Sequence, residues 1–173
     1  MSGHSKWATI KRQKGTADAK RGVLFTKLSK NISLAARHGK DPTMNSTLRT
    51  AIEAARSANM PKDNIERAVR RGAGEVPGQQ LEEITYEAYG PHGVALLIRC
   101  ITDNTNRTAG FIKSTLTTHG GSLGGPGSAR YIFQQSPVFR IDLDDTAKQL
   151  LTKLIQAFED NDDVVDITHN ANS

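Results

Sequence analysis

A single cysteine, Cys100, excludes an internal disulfide and any cysteine-built metal cluster. The five histidines, His4, His38, His92, His119 and His169, are scattered, with no pair at ligand spacing on one element. No apolar run approaches the roughly 18 residues that span a bilayer, and no apolar signal-peptide core is present. A cytoplasmic chain is expected. Aromatic residues make up only 5% of the chain, so the cores must rest on Leu, Ile, Val and Ala. Acid is missing from the start: the first carboxylate is Asp18, and Lys6, Lys11, Arg12 and Lys14 precede it around the only tryptophan, Trp7.

The charge that is present is unevenly spread. Residues 1–72 hold 16 Lys and Arg against five Asp and Glu, whereas residues 73–173 hold seven against 13. Two domains with different tasks are expected, the first facing a polyanion. At 173 residues the chain is long enough for two small cores.

Apolar periodicity divides the first part into helices. Residues 1–15 show no clear period and read as a basic arm. Leu24, Leu28, Ile32 and Ala35 then recur at helical spacing, with Thr16 or Asp18 as cap and Gly39 as stop. Leu48, Ala51, Ile52, Ala55 and Ala58 mark a second helix. Ile65, Ala68 and Val69 mark a third, begun at Pro61 and ended by Gly72 and Gly74. The expected arrangement is a basic arm plus three-helix bundle over 1–74, then a Gly- and Pro-rich linker over 75–81.

Past the linker the pattern alternates. Residues around Tyr86, and Val94, Leu96, Ile98 and Cys100, read as two strands joined by the turn Gly90-Pro91-His92-Gly93. A helix follows with Ala109, Ile112 and Leu116 inward. SARYIF and VFRIDL read as short strands, with Gln134-Gln135-Ser136-Pro137 as a hairpin loop between them. A helix with Ala147, Leu150, Leu151, Leu154 and Phe158 inward and a last strand at DDVVDITH complete the order. The expected fold class is α+β: a three-helix bundle, then a ferredoxin-like β-α-β-β-α-β domain over 82–173 with an extra N-terminal strand.

The constellations exclude more than they assign. HGGSLGGPGS, residues 119–128, is rich in glycine but has neither the lysine nor the strand-to-helix setting of a phosphate loop, and reads as a connection. DNDDVVD lacks the central glycine and terminal glutamate of a calcium loop. No nucleophile–base set has a usable spacing, so no enzyme and no cofactor are expected. An RNA-recognition motif would need stacking aromatics on its strands, and RYIF offers only Tyr131 and Phe133, read as packing residues.

The basic features point to nucleic acid. Arg67, Arg70 and Arg71 stand at i, i+3 and i+4, diluted by an Asp63–Arg67 pair. Lys20, Arg21, Lys27 and Lys30 mark the first helix. With Lys6, Lys11, Arg12 and Lys14 they are suited to track a phosphate backbone, while Trp7 stacks on a base or pins the arm. Little Asn or Gln stands beside the arginines to read base edges, and no dimer element is evident, so a monomer is expected.

The stretches GHSKWATIKRQK, DAKRGVLFTKL, MPKDNIERAV, YEAYGPHGVALLI, TDNTNRT, LGGPGSARYIF and FEDNDDVVDITHNA, in order along nearly the whole chain, resemble the YebC family. That family includes a mitochondrial translational activator of a cytochrome oxidase subunit. GHSKW begins at residue 3, so no transit peptide is expected. The resemblance implies a further α/β domain inserted after Phe133, and here the chain runs straight on through Pro137, as a short form or an internal deletion. It also implies a nucleic-acid-binding regulator, either of transcription on DNA or of translation at the ribosome. In TDNTNRT, Asp103 or Thr105 would cap a helix and leave Asn104, Asn106 and Arg107 for polar contacts. The expected partners are nucleic acid, with ribosomal RNA ahead of duplex DNA, and the ribosome. No membrane is expected among them. The rival of another class is a protein–protein adaptor docking through the acidic C-terminal domain.

Overall fold

A computed structural model describes the backbone of residues 3–172 and the side chains of residues 15–172. The chain forms two compact units, Met1–Pro77 and Gly78–Ser173.

In the first unit, helix α1 spans Gly3–Ala36, α2 Ser46–Ser57 and α3 Lys62–Gly72. The expected arm is therefore helix. Thr16 and Asp18 do not start α1, because Lys, Arg, Ala and Gln favour helix and a lone Gly15 costs only about 1 kcal/mol against Ala. At 34 residues α1 is about 50 Å long. Every side chain from Gly15 to Gly22 is exposed. The core portion of α1 starts at Phe25 and continues through Leu28, Ile32, Ala35 and Ala36. Leu24, expected inward, is 46% exposed, and Phe25 takes its place.

Asn45 ties the bundle together. Its side-chain oxygen accepts from the Leu48 amide at 3.0 Å, capping α2. Its Nδ2 donates to the carbonyls of Ala35 and Gly39, both at 2.8 Å, which fixes the loop after α1. Leu48, Ile52 and Ala55 from α2, with Ile65 and Ala68 from α3, close the core.

Helices α1 and α3 approach closely at Gly72, where a Cβ would stand 2.2 Å from the Ser33 carbonyl oxygen. The buried Ser33 hydroxyl donates to the Ala68 carbonyl at 2.8 Å in the same contact. Gly72→Ala gains helix propensity but forces the two helices apart. We expect a net loss of about 1–3 kcal/mol in urea unfolding, and unchanged stability would contradict this contact.

The second unit holds strands β1 (Glu82–Tyr89) and β2 (Ala95–Thr102), helix α4 (Thr105–Thr118) and the short strand β3 (Ser122–Leu123). Helices α5 (Arg130–Gln134) and α6 (Asp145–Glu159) follow, then strand β4 (Val164–His169). The sheet is antiparallel throughout, in the order β3-β1-β2-β4. Ala88, Leu96, Ile98 and Cys100 face Ile112 and Leu116 of α4 and Leu151, Leu154 and Phe158 of α6. Thr108 and Thr115 are buried on α4 where Ala109 was expected, and Leu150 of α6 is 40% exposed rather than inward.

The α+β class, helices first and antiparallel sheet after, is as read from the sequence. Two strands are not. SARYIF contributes α5, and VFRIDL makes only a single parallel bridge, Ile141 to Ala171. The expected hairpin therefore does not form. Its place beside β2 is already filled by β1, paired over eight residues from Glu82↔Thr102 to Tyr89↔Ala95. The strand read as extra is thus interior to the sheet, and Ser122–Leu123 supplies the edge.

Candidate nucleic-acid interface

The cations of the first unit expected to meet nucleic acid lie on α1 and α3, while Arg49 and Arg56 of α2 and Arg37 and Lys40 of the loop before it are exposed as well. Lys20 and Arg21 are exposed, and the Arg21 guanidinium sits 5.9 Å from the centroid of Phe25, which orients it by cation–π attraction. Lys27 and Lys30 are half-buried. The side chains of Lys6, Trp7, Lys11, Arg12 and Lys14 lie outside the described residues.

On α3 the predicted ridge divides. Arg70 reaches Glu75 at 3.7 Å, and Glu75 also takes Lys40. Both cations hold the Glu75 carboxyl below its usual range, Lys40 most strongly. Arg67 and Arg71, one turn apart, are exposed and make no ion pair among the described residues. The expected Asp63–Arg67 pair is not formed; the i,i+4 pair on this helix is Lys62–Glu66 at 3.5 Å. Asn64 is the single amide of α3, and it is half-buried. Arg67 and Arg71 are therefore two free cations at helical spacing, a geometry for phosphates rather than for base edges.

TDNTNRT lies in the second unit and is largely occupied by its own fold. Asn104, not Asp103 or Thr105, caps α4 by accepting from the Arg107 amide at 3.0 Å. Arg107 donates to Asp103 at 2.8 Å and to the buried Asp163 at 3.0 Å. Asp163 also accepts from the Thr108 hydroxyl at 2.9 Å. These carboxylates push the Arg107 pKa up, Asp163 foremost, and lock its charge on. The Arg107 side chain still keeps 54% of its surface, and Asn106 is exposed.

One residue of consequence went unread in the sequence. Glu87 on β1 is buried, and its carboxylate accepts from the amides of Gly127, Ala129 and Arg130 at 2.8, 2.9 and 2.8 Å. Those three amides hold its pKa below the usual range, Gly127 first. The glycine-rich connection is thus clamped to the sheet, and the Tyr89 hydroxyl adds a bond to the Ser128 carbonyl. The only signal in the sequence was a carboxylate inside a strand, six residues past the linker.

Among the described residues, no group of three or more His, Cys, Asp or Glu is placed to hold a metal. No helix is long and apolar enough to cross a membrane among the same residues.

The comparisons agree along the chain. Residues 5–75 match the family model for the TACO1/YebC protein N-terminal domain, and residues 81–152 match the model for the TACO1/YebC second and third domain. A "probable transcriptional regulatory protein" of Treponema pallidum (strain Nichols) is 54% identical over 155 residues, covering 89% of this chain and 63% of that protein. One of the same name from Dictyoglomus turgidum is 49% identical over 171 residues, covering 97% of this chain and 69% of its own length. The chain thus spans less than two thirds of the Treponema relative. The crystal structure of a conserved hypothetical protein, Aq1575, from Aquifex aeolicus matches with a TM-score of 0.81 at 31% identity, over 90% of this chain and 91% of that one. The chain belongs to the TACO1/YebC family.

Proposed function

We propose that this chain is a non-enzymatic, nucleic-acid-binding regulator of gene expression that acts on structured RNA of the ribosome. The observation that supports this most is the pair Arg67 and Arg71, exposed and free of ion pairs on α3, in a unit with a large excess of Lys and Arg. Two guanidinium groups at one-turn spacing, with one half-buried amide near them, contact phosphates and carry little base information. A surface of that kind follows the backbone of folded RNA at least as well as an operator. Lys20 and Arg21 add two exposed cations on α1, and the leader's Lys6, Lys11, Arg12 and Lys14 belong to the same helix. Asn104, Asn106 and Arg107 contribute a secondary contact.

The second reading is a DNA-binding transcriptional regulator, favoured by the names of the relatives. Salt separates the two. For roughly four to six phosphate contacts, log K for duplex DNA should fall by about three to five units per tenfold rise in salt. Co-sedimentation with ribosomes should survive moderate salt that abolishes this binding. Duplex binding that outlasts ribosome binding as salt rises would restore the transcriptional reading.

A further inference from the structure

Aromatic residues are scarce in this chain, and most of those described are at least half-buried: Phe25, Tyr86, Tyr89, Phe111, Phe133 and Phe158. Tyr131 and Phe139 are not; they keep 53% and 63% of their surface. The packing role expected of Tyr131 and Phe133 therefore falls to Phe133 alone. Both exposed rings belong to one corner of the sheet. The Tyr131 hydroxyl meets that of Tyr89, at the end of β1. Tyr89 stands opposite Ala95, at the start of β2. The Ala95 amide donates to Asn170 Oδ1 at 2.8 Å, and Asn170 Nδ2 donates to the Phe139 carbonyl at 3.2 Å. Each ring has an arginine as its chain neighbour. Arg130 keeps 51% of its side-chain surface, although it reaches the buried Glu87 at 3.6 Å. Arg140 is exposed, donates to the His169 carbonyl at 3.3 Å and makes no ion pair among the described residues. The backbone beneath both rings is held. Glu87 fixes the amides of Ala129 and Arg130, and the Ile141 amide donates to the Asn170 carbonyl at 2.8 Å.

From this arrangement we infer that Tyr131 and Phe139 are a stacking platform for an unpaired stretch of nucleic acid, with Arg130 and Arg140 beside its phosphates. Every base has a π face, so an exposed ring on a fixed backbone takes it whatever the sequence. The guanidinium groups add phosphate contacts and can themselves stack on a base. A duplex fits poorly, because its bases are already stacked on one another and turn no face outward. An apolar peptide is served less well, since the exposed polar residues Gln134, Gln135 and Ser136 lie between the two rings along the chain. The platform goes beyond the cation surface of the first unit and stands without it. It also differs in kind. The second unit carries an excess of acid, so base stacking rather than charge must supply most of the affinity here.

Fluorescence anisotropy on the full chain tests this. One probe is a labelled single-stranded RNA of about 12 nucleotides and mixed sequence. The other is an abasic strand with the same sugar–phosphate backbone, which keeps the charge and lacks the bases. The parent should bind the abasic strand at least about tenfold more weakly. Tyr131→Ala and Phe139→Ala should each weaken the normal strand about fivefold or more and leave the abasic strand unchanged. Tyr131→Phe keeps the ring and should bind as the parent does. Both side chains are exposed, so circular dichroism and thermal melting should show an intact fold. Equal binding of the two strands by the parent would overturn the platform. So would a base preference that survives Tyr131→Ala combined with Phe139→Ala, which would point to Trp7 instead. Reversing Lys20, Arg21, Arg67 and Arg71 to glutamate should weaken both strands. Binding unchanged by that reversal would count against the cation surface of the first unit and leave the platform standing.

Discussion

Reversing Lys20, Arg21, Arg67 and Arg71 to glutamate should lower affinity for nucleic acid by roughly a hundredfold to a thousandfold near 0.1 M salt. Each lost phosphate contact removes just under one unit from the salt slope, so four removed contacts predict a slope lower by about 3.6. On the proposed reading, in which these side chains meet phosphates and not base edges, the loss should be uniform across sequences. The fold should persist. All four side chains are exposed, and only Arg21 has a packing role, over Phe25. Helix propensity hardly changes between Lys, Arg and Glu. Filter binding on ribosomal RNA and on duplex DNA, with circular dichroism as control, reads the result. Retained affinity would move the interface off these four residues.

The largest effect on stability is expected at Glu87. Glu87→Ala strips the acceptor from three amides, one of them on the fully buried Ala129. A buried donor left without an acceptor bears its full desolvation penalty. We expect the melting temperature to fall on the order of 5–10 °C, with the segment from Gly120 to Gln134 losing hydrogen-exchange protection first. Acidity should act in the same direction. The Glu87 pKa is lowered in the folded chain from its ordinary value of 4.5. Its contribution is therefore full above that value and is lost as pH falls through the lower folded one. Glu87→Gln cannot titrate, so it should be less stable than the parent at neutral pH and should flatten the acid limb of the stability curve. A parent and a Gln variant with parallel acid limbs would contradict the clamp.

The sequence revealed what local patterns decide. Leu48, Ile52 and Ala55 repeat at helical spacing because one face of α2 is buried, and β2 alternates because Leu96, Ile98 and Cys100 face the core. The start of α1 was illegible for the converse reason. From Gly15 to Gly22 nothing is buried, so propensity holds the helix and leaves no apolar period. SARYIF misled because Tyr, Ile and Phe favour strands, while its helical state is set by Glu87, more than 40 residues earlier in the chain. The same blindness to distance affected the site. Arg67 and Arg71 were named from their spacing and Arg107 from its place in TDNTNRT, but the pairing that holds Arg107 was hidden, since its partner, Asp163, lies 56 residues further on.

Protection mapping of the full chain, on ribosomes and on a random duplex DNA library in the same buffer near 0.15 M salt, bears most directly on the reading of this protein as a backbone-tracking regulator at the ribosome. The predicted result is discrete protection on ribosomal RNA, with no duplex sequence enriched more than about tenfold over random. The contradicting result is a defined duplex site bound more than about a thousandfold more tightly than random DNA, with ribosomal RNA unprotected.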